Sequence, residues 1–234
     1  MQLYYDLHLH SCLSPCGSED MTPANLAAMC ALAGLEVVAL TDHNTTGNCR
    51  AFCQAARAWG LLPLAGMELC TQEEIHLVCL FPDPDQAEAF EGAIAPTLPP
   101  FPNDPEVFGH QILMDEADEV LGEDTRFLAG STGITLEQAP ILAGQYGGVV
   151  FPAHIDRPSF SLLGVLGLWA PELGFSVAEL SHNCPPEFTR RPDLAGVRFL
   201  SNSDAHYLDQ VWTAEHTMQL RGRTAQAVLD SLRG

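Results

Sequence analysis

The chain contains no lysine, so all ten of its basic residues are arginines. Thirty Asp and Glu side chains outweigh them and leave a formal net charge of -20. A surface this acidic repels a phosphate backbone, which argues against a long nucleic acid as a partner. The acidity also has a simpler interpretation, in which it maintains solubility or reflects a salt-rich habitat. Bound cations, which the formal count omits, would offset part of the negative charge.

Long hydrophobic runs and leader-like segments are also missing. No apolar run approaches the roughly 20 residues that a membrane helix needs. Residues 1–10 have neither the basic nor the apolar region of a signal peptide. The eight cysteines include no CxxC pair, and apart from Cys16 we expect them to be small, buried and reduced. These absences predict a cytoplasmic protein without a membrane partner.

Predicted strands and helices alternate along most of the 234 residues, a length that fits one α/β barrel or two small domains. Thr22 and Pro23 provide an N-cap and a first helical position, and Gly34 ends that helix. Strands are predicted over residues 2–9, 35–40, 61–65, 75–81, 148–152, 177–180 and 197–200. Helices are predicted over residues 22–33, 47–59, 135–146 and 224–232. The β-α-β-α-β order at the start predicts a parallel sheet with helices outside it.

The stretch 82–108 interrupts this alternation and is rich in proline and acidic residues. It contains one short predicted helix, over residues 84–92, followed by a loop. We interpret the stretch as an excursion from a barrel rather than as a linker between domains, because another motif with metal-binding chemistry follows at His154. Residues 1–234 are therefore predicted to form a single domain.

Six of the nine histidines fall in five short motifs, each of which is expected at the end of a strand. The motifs are Asp6-Leu-His8-Leu-His10, Thr41-Asp42-His43, Ile75-His76, Pro152-Ala-His154 and Asp204-Ala-His206. Because side chains alternate along a strand, His8 and His10 share one face and can bind one ion together. Glu68 follows another predicted strand, where its carboxylate can bridge two cations.

One such histidine alone is more simply explained as a hydrogen-bonded surface or core residue. Five motifs of this kind in one acidic chain instead favour a multinuclear metal site, because imidazoles and carboxylates gathered at strand ends are its usual ligands. The residues alone therefore predict a metal-dependent hydrolase. His110 and His216 lack this context, and we expect them to be ordinary hydrogen-bonded residues.

In their order along the chain, these motifs resemble the PHP domain (polymerase and histidinol phosphatase) family. The opening motifs are Asp6-Leu-His8-Leu-His10-Ser, Thr22-Pro-Ala-Asn-Leu and Gly34-Leu-Glu-Val-Val-Ala-Leu-Thr41-Asp-His43-Asn-Thr. The later ones are Gly66-Met-Glu68, Ile75-His76, Pro152-Ala-His154 and Asn202-Ser-Asp204-Ala-His206, so the resemblance covers almost the whole chain. It implies a distorted seven-stranded (β/α) barrel with a trinuclear metal centre at the C-terminal ends of the strands, used for phosphoester hydrolysis.

The resemblance also implies how two to three divalent ions of manganese, iron or zinc are held. The first ion would have His8, His10, Glu68 and Asp204; the second would share Glu68 and have His76 and His154; the third would have His43 and His206. The family usually adds a His or Asp five or six residues after the second histidine, where this chain has Pro15, Cys16 and a longer loop. Either Cys16 or Asp20 could complete the third site. We favour Asp20, because an oxygen ligand suits a hydrolytic site that binds these metals.

Two further residues are predicted to contact the substrate. Arg157 follows His154 closely enough to face the same mouth, and its planar guanidinium matches a phosphate. A salt bridge to one of the many acids is an equally good interpretation of Arg157. His182 follows the strand at 177–180 and is the second candidate. Asp42 is expected to orient a ligand imidazole, with a helix cap as the alternative.

These residues predict a metal-dependent phosphoesterase that acts on a small phosphorylated metabolite or nucleotide. A metal-bridging hydroxide would attack phosphorus, with Glu68, Asp204 and His206 as the catalytic residues. The alternatives are a nuclease-like phosphodiesterase and a non-catalytic metal-binding module of the same fold.

Overall fold

The computed structural model describes residues 1–233, in which one large sheet and two small ones are formed. The strands are β1 Gln2–Leu9, β2 Val37–Leu40, β3 Leu62–Cys70, β4 His76–Phe81, β5 Ile112–Met114, β6 Val120–Glu123, β7 Val149–Pro152, β8 Val177–Leu180, β9 Arg198–Ser201 and β10 Thr217–Gln219. Six of them join in the order β10-β1-β2-β3-β4-β7, and this sheet curls into half a barrel. The pairs β5-β6 and β8-β9 form the two small sheets. The architecture is therefore mixed α/β.

The helices connect these strands and begin largely where the sequence predicts. They are α1 Pro23–Leu32, α2 Cys49–Ala58, α3 Pro84–Ile94, α4 Pro105–Phe108, α5 Gln138–Gln145, α6 Leu162–Leu166 and α7 Ala225–Arg233. The predicted cap of α1 is confirmed, since Thr22 Oγ1 accepts a hydrogen bond from the Asn25 amide at 3.3 Å. Among residues 1–233, no helix combines the length and the hydrophobicity that crossing a membrane requires.

Strand direction agrees with the prediction at the start of the chain and departs from it at β4. β1, β2 and β3 run parallel, whereas β4 is antiparallel to both β3 and β7. His76 is consequently the first residue of its strand, which corrects the expectation that each histidine motif ends a strand. Because β4 runs in reverse, His76 pairs with Cys70 at the end of β3 and so reaches the same edge of the sheet. Glu68 also lies within β3 rather than after it, because β3 extends to Cys70.

The stretch 82–108 is partly integrated into the core. Phe90 and Ile94 of α3 are fully buried against the cluster that also holds α1 and α2, whereas Val107 and Phe108 of α4 are exposed. The irregular path continues beyond 108 into the β5-β6 hairpin, which the sequence did not predict. Both side-chain groups of Asn48 hold this hairpin, by bonds of 3.0 Å to the carbonyl of Ile112 and the amide of Met114. The hairpin is thereby fixed beside the loops that follow β1 and β2.

Candidate metal centre

The carboxylate of Glu68 lies buried inside a ring of imidazoles. The ring nitrogens within 3.4 Å of its two oxygens belong to His8, His10, His43, His76 and His154. The shortest contacts are 2.8 Å from Oε1 to His76 Nδ1 and 2.9 Å from Oε2 to His43 Nδ1. The curled sheet thus brings together side chains from β1, β3 and β4 and from the segments that follow β2 and β7.

Asp204 adds a second carboxylate to the same cluster. Its Oδ1 lies 3.2 Å from His10 Nε2 and 3.4 Å from His8 Nε2, and these two nitrogens are themselves 3.2 Å apart. His206 joins from the same loop, with Nδ1 3.7 Å from that oxygen. Oδ1 of Asp204 is buried and makes no hydrogen bond within the described residues.

Three groups of these side chains are compact enough to hold a cation each. Within a group, one donor atom from every residue lies within 4.8 Å of the others. The groups are His8, His10, Glu68 and Asp204; His43, Glu68 and His76; and His10, His43 and His206. His154 Nε2, at 3.0 Å from Glu68 Oε1, lies beside the second group. The structure therefore contains clustered His, Glu and Asp donors that suit metal ions.

Backbone strain accompanies this cluster. Asn44, His154 and Asp204 adopt positive φ angles of 53°, 28° and 52°. Non-glycine residues rarely occupy this region, and each instance costs roughly 1–3 kcal/mol and persists only where the surroundings enforce it. Such strain gathers at functional sites, where it aims side chains that regular strands would point elsewhere.

Glu179 of β8 fixes one side of the cluster. Its carboxylate accepts a hydrogen bond from His8 Nδ1 at 2.9 Å, from Asn202 Nδ2 at 2.7 Å and from the His154 amide at 3.2 Å. Because Nδ1 of His8 donates to Glu179, Nε2 is the nitrogen that faces Asp204 and Glu68 and would be available to a cation. The Glu179 side chain is 1% exposed. No histidine motif marks it; the available signal is an acid inside the apolar run Val177–Leu180.

Asp42 contacts another part of the cluster, the His10 imidazole, through Ser14. Ser14 Oγ donates to Asp42 Oδ1 at 2.7 Å and contacts His10 Nδ1 at 2.9 Å, while the Ser11 amide and hydroxyl also bind the Asp42 carboxylate. Asp42 is fully buried and holds the loop that carries His10. It thus acts on the His10 imidazole indirectly, by way of a serine that belongs to none of the five histidine motifs.

The charges inside the cluster are strongly coupled. Burial lowers the pKa of His8, but Glu179, Asp204 and Glu68 outweigh it and raise that pKa well above its usual value. Burial raises the pKa of Glu68, yet the neighbouring His76, His8 and His43 hold it well below its usual range. At His206, burial and the charge of His10 lower the pKa to about 3.

This donor set fits divalent cations. The carboxylates of Glu68 and Asp204 face the imidazole nitrogens at close range. Asp204 Oδ1 lies 3.2 Å from His10 Nε2 without the geometry of a hydrogen bond. Metal ligands must be free of protons, so a cation bound here would replace the imidazole protons that the carboxylates otherwise attract. Imidazole and carboxylate ligands together suit manganese, iron or zinc.

Of the remaining predicted residues, Arg157 and His182 lie at the cluster and Asp20 lies apart from it. Arg157 Nη2 forms an ion pair of 2.7 Å with Asp204 Oδ2, while 45% of its side chain stays exposed. Arg157 and His182 line an open cleft of about 600 Å³ together with Cys16, Asp204 and His206. Asp20 is exposed and belongs to none of the three donor groups found within residues 1–233.

His110 and His216 lie outside the cluster. The former forms a surface ion pair with Glu123 at 3.1 Å, and the latter packs near Trp212, with their ring centroids 5.7 Å apart. His110 therefore agrees with the hydrogen-bonded role expected from the sequence, and for His216 that role stays a prediction.

Comparison with known proteins places this cluster in a wider context. The family model described as PHP domain matches residues 6–131, whereas no curated protein matches the chain significantly. The lesion-specific endonuclease PfuEndoQ from Pyrococcus furiosus covers 100% of the chain with a TM-score of 0.67 and 17% identity. A complex of Endonuclease Q with a 27-mer duplex substrate matches with the same TM-score and identity. The chain spans only 56% and 57% of these two proteins.

A candidate metal-dependent phosphoesterase from Bifidobacterium adolescentis is similar in size as well as in fold. The match covers 97% of this chain and 94% of that one, with a TM-score of 0.59 and 17% identity. At such identities the likenesses show a common fold, and chemistry has to be argued from the side chains.

Proposed function

Because the chain belongs to the PHP domain family, we propose that it is a metal-dependent phosphoesterase that acts on a small phosphorylated metabolite or nucleotide. The observation that carries the proposal is the Glu68 carboxylate, with five imidazoles within 3.4 Å of its oxygens and Asp204 beside them. A purely structural role is a poor explanation, since burying so many ionisable groups is costly without a cation to organise them.

The family resemblance implies how two to three ions would be held; the first donor group matches its first ligand set, and the other two groups overlap with the rest. His8, His10, Glu68 and Asp204 would hold the first; Glu68, His76 and His154 the second; His43 and His206 the third. When bound, divalent ions would withdraw charge from the phosphoryl oxygens and make a water molecule more acidic. Cys16 lines clefts beside both His43 and His206, whereas Asp20 does not, so the structure supports Cys16 better as the residue facing the third position.

The chain's own residues would bind and orient the phosphoryl group. Arg157 is placed to hold a non-bridging oxygen, because its planar fork reaches the cleft while Asp204 fixes one of its nitrogens. Nδ1 of His206 donates to the carbonyl of Asp204 at 2.8 Å, which leaves the lone pair of Nε2 free to act as a ligand. His182 lines the same cleft and would contact the rest of the substrate.

The same proposal includes a complete seven-stranded barrel, with the metals at one rim of a single domain. The segment after β7 contacts β8, because the Ile155 amide donates a hydrogen bond of 2.9 Å to the Glu179 carbonyl. The segment after β9 reaches β1 through a bond of 2.9 Å from the Asp204 amide to the His8 carbonyl. With β8 and β9 between β7 and β1, the open side of the half-barrel would be closed.

Turnover of p-nitrophenyl phosphate, measured with and without manganese, tests the proposal most directly. We expect metal-dependent release of p-nitrophenol, followed by a clear preference within a panel of phosphorylated metabolites. A folded, metal-loaded protein that hydrolyses none of them would favour the non-catalytic module.

A nuclease is the second candidate, because Endonuclease Q shares the fold over the whole chain. The net charge of -20 opposes it, since each phosphate of a long strand would meet a repulsive surface. Duplex and single-stranded oligonucleotides, intact or carrying an abasic site, should be compared with mononucleotides in the same assay. Faster cleavage of the oligonucleotides would establish the nuclease.

A further inference from the structure

A second cleft adjoins the metal centre, and its walls differ from those around Arg157. It measures about 200 Å³, and the residues that line it include His43, His76, Phe108, Leu128 and Phe160. His76 therefore borders the cleft and also contacts Glu68 at 2.8 Å. Any group that fills this space is next to the predicted metal ligands.

Phe160 is an exposed aromatic residue with an unfavourable backbone conformation. It is 45% exposed and has a positive φ of 51°, a region that bulky side chains avoid. The centroid of its ring lies 4.9 Å from that of His76, and its carbonyl accepts the His76 amide at 3.0 Å. The strained backbone thus ties the ring to a predicted ligand, which is the pattern expected of a functional position.

Phe108 also lines the cleft and is followed by Gly109, whose conformation fixes the end of α4. Gly109 has φ of 100°, and a Cβ there would lie 2.0 Å from the carbonyl oxygen of Pro15. Only glycine allows α4 to end this close to the loop that carries Cys16. Phe108 is 43% exposed, and its ring centroid lies 4.6 Å from that of Phe127. The stretch 82–108 thereby supplies one aromatic wall of the cleft.

The side-chain amide of Asn44, which lines the cleft, is already hydrogen-bonded to the protein. Asn44 Nδ2 donates to the carbonyls of Leu128 and Gly130 at 2.7 and 2.8 Å, and its Oδ1 accepts the Cys70 amide at 2.9 Å. Asn44 consequently has little capacity to recognise a particular pattern of hydrogen bonds in a ligand.

Resting on the proposed phosphoesterase function, we propose that this cleft binds a planar aromatic group of the substrate, attached close to the phosphoryl group. Phe108 and Phe160 would contact the ring by its face or edge, the geometries that aromatic pairs prefer. Because both Nδ2 protons of Asn44 and one lone pair of its Oδ1 are engaged, the cleft would select for the ring itself and tolerate different rings, such as a nucleobase or a phenyl group.

Matched substrates that differ only in the ring test this inference. Adenosine 5′-phosphate and ribose 5-phosphate share the ester and differ in the base, and benzyl phosphate and butyl phosphate form a second pair. We expect the aromatic member of each pair to have the higher kcat/KM and the lower Kd, the latter measured calorimetrically with manganese-loaded protein. Equal values within both pairs would overturn the inference, and a preference in only one pair would overturn the tolerance for different rings.

The variants Phe108→Ala and Phe160→Ala should reduce kcat/KM for the aromatic members by roughly five- to a hundredfold, as losing a stacked ring does elsewhere. The values for the other members should change by less than about twofold. Phe101→Ala is the matched control, because Phe101 is 54% exposed in the same stretch and does not line the cleft. Circular dichroism and metal content establish that each variant is folded and loaded.

The calorimetric arm separates this inference from the proposed function. If no substrate is hydrolysed but the aromatic members bind more tightly, the phosphoesterase fails and the aromatic cleft stands. If hydrolysis is normal and both variants affect both members of a pair equally, the cleft fails and the phosphoesterase stands.

Discussion

Glu68 contacts imidazoles through both carboxylate oxygens, so its loss should affect more than one predicted metal site. In Glu68→Gln, the negative charge is lost and one oxygen becomes an NH2 group. That group donates hydrogen bonds and cannot bind a cation. We expect activity to disappear and the metal content, measured by mass spectrometry, to fall by more than one ion per chain. Glu88→Gln is the control, because Glu88 is an exposed partner of Arg50. Full metal content and rate in Glu68→Gln would refute the bridging role.

Arg157 distinguishes phosphate binding from a surface ion pair. If the guanidinium holds the phosphoryl group, Arg157→Lys should lose a bidentate contact worth roughly 1.5–3 kcal/mol, or about ten- to a hundredfold in kcat/KM. If Arg157 only pairs with Asp204 at its partly exposed position, the substitution should cost about 0–1 kcal/mol. Kinetics and metal content are measured in one sample. Arg50→Lys, which alters an exposed pair in α2, controls for loss of an arginine.

At the scale of elements, β3 carries Glu68 and depends on a close approach at Gly66. A Cβ on Gly66 would lie 2.7 Å from the Cys79 carbonyl oxygen and 2.9 Å from Thr41 Cγ2, on the two neighbouring strands or their ends. Gly66→Ala should therefore separate β3 from its neighbours, reduce stability by roughly 1–3 kcal/mol and lower metal content.

Denaturant unfolding measures the stability change in Gly66→Ala. Gly92→Ala in α3 is the control, since nothing lies within 4 Å of a Cβ there and alanine should stabilise that helix by up to about 1 kcal/mol. If Gly66→Ala proved as stable and as metal-rich as the parent, the predicted steric conflict between β3 and its neighbours would be wrong.

Elements were predictable from the sequence where local patterns define them. The cap at Thr22 and the apolar run of β1 have local causes, and both agree with the structure. The reversal of β4 was not predictable, because a buried strand has the same apolar pattern in either direction. The β5-β6 hairpin also escaped prediction, since its short strands are exposed or half-buried except at Met114 and are held by Asn48 from a distant segment.

The candidate site divides in the same way. The six clustered histidines, Glu68 and Asp204 stand in recognisable motifs, and the structure brings all of them together. Glu179 shows in the sequence only as an acid inside an apolar run, and its contact with His8 is made across the fold. Ser14 has no motif of its own and is significant only through its contacts with His10 and Asp42. Which side chain faces the third position depends on the path of the loop between Cys16 and Asp20, and spacing alone does not determine that path.

At the scale of the whole molecule, the centre joins residues from position 8 to position 206, so it exists only when the sheet and the β8-β9 pair are assembled together. The unfolded chain has no such arrangement, and metal binding should therefore stabilise the folded state. The effect should be large in this protein, because the buried carboxylates of Glu68, Asp204 and Glu179 require compensating charge.

We accordingly expect two to three ions of manganese, iron or zinc per chain in the purified protein, and a lower Tm after they are removed by a chelator. A single ion present at a hundred times its Kd stabilises a fold by about 2.7 kcal/mol. In a domain of this size that corresponds to roughly 5–10 °C in Tm. Glu68→Gln should show a smaller difference between loaded and stripped protein, while Glu88→Gln should behave like the parent. A stripped protein that keeps its Tm and takes up no metal on incubation would remove the basis for a metal centre, and with it the proposed chemistry.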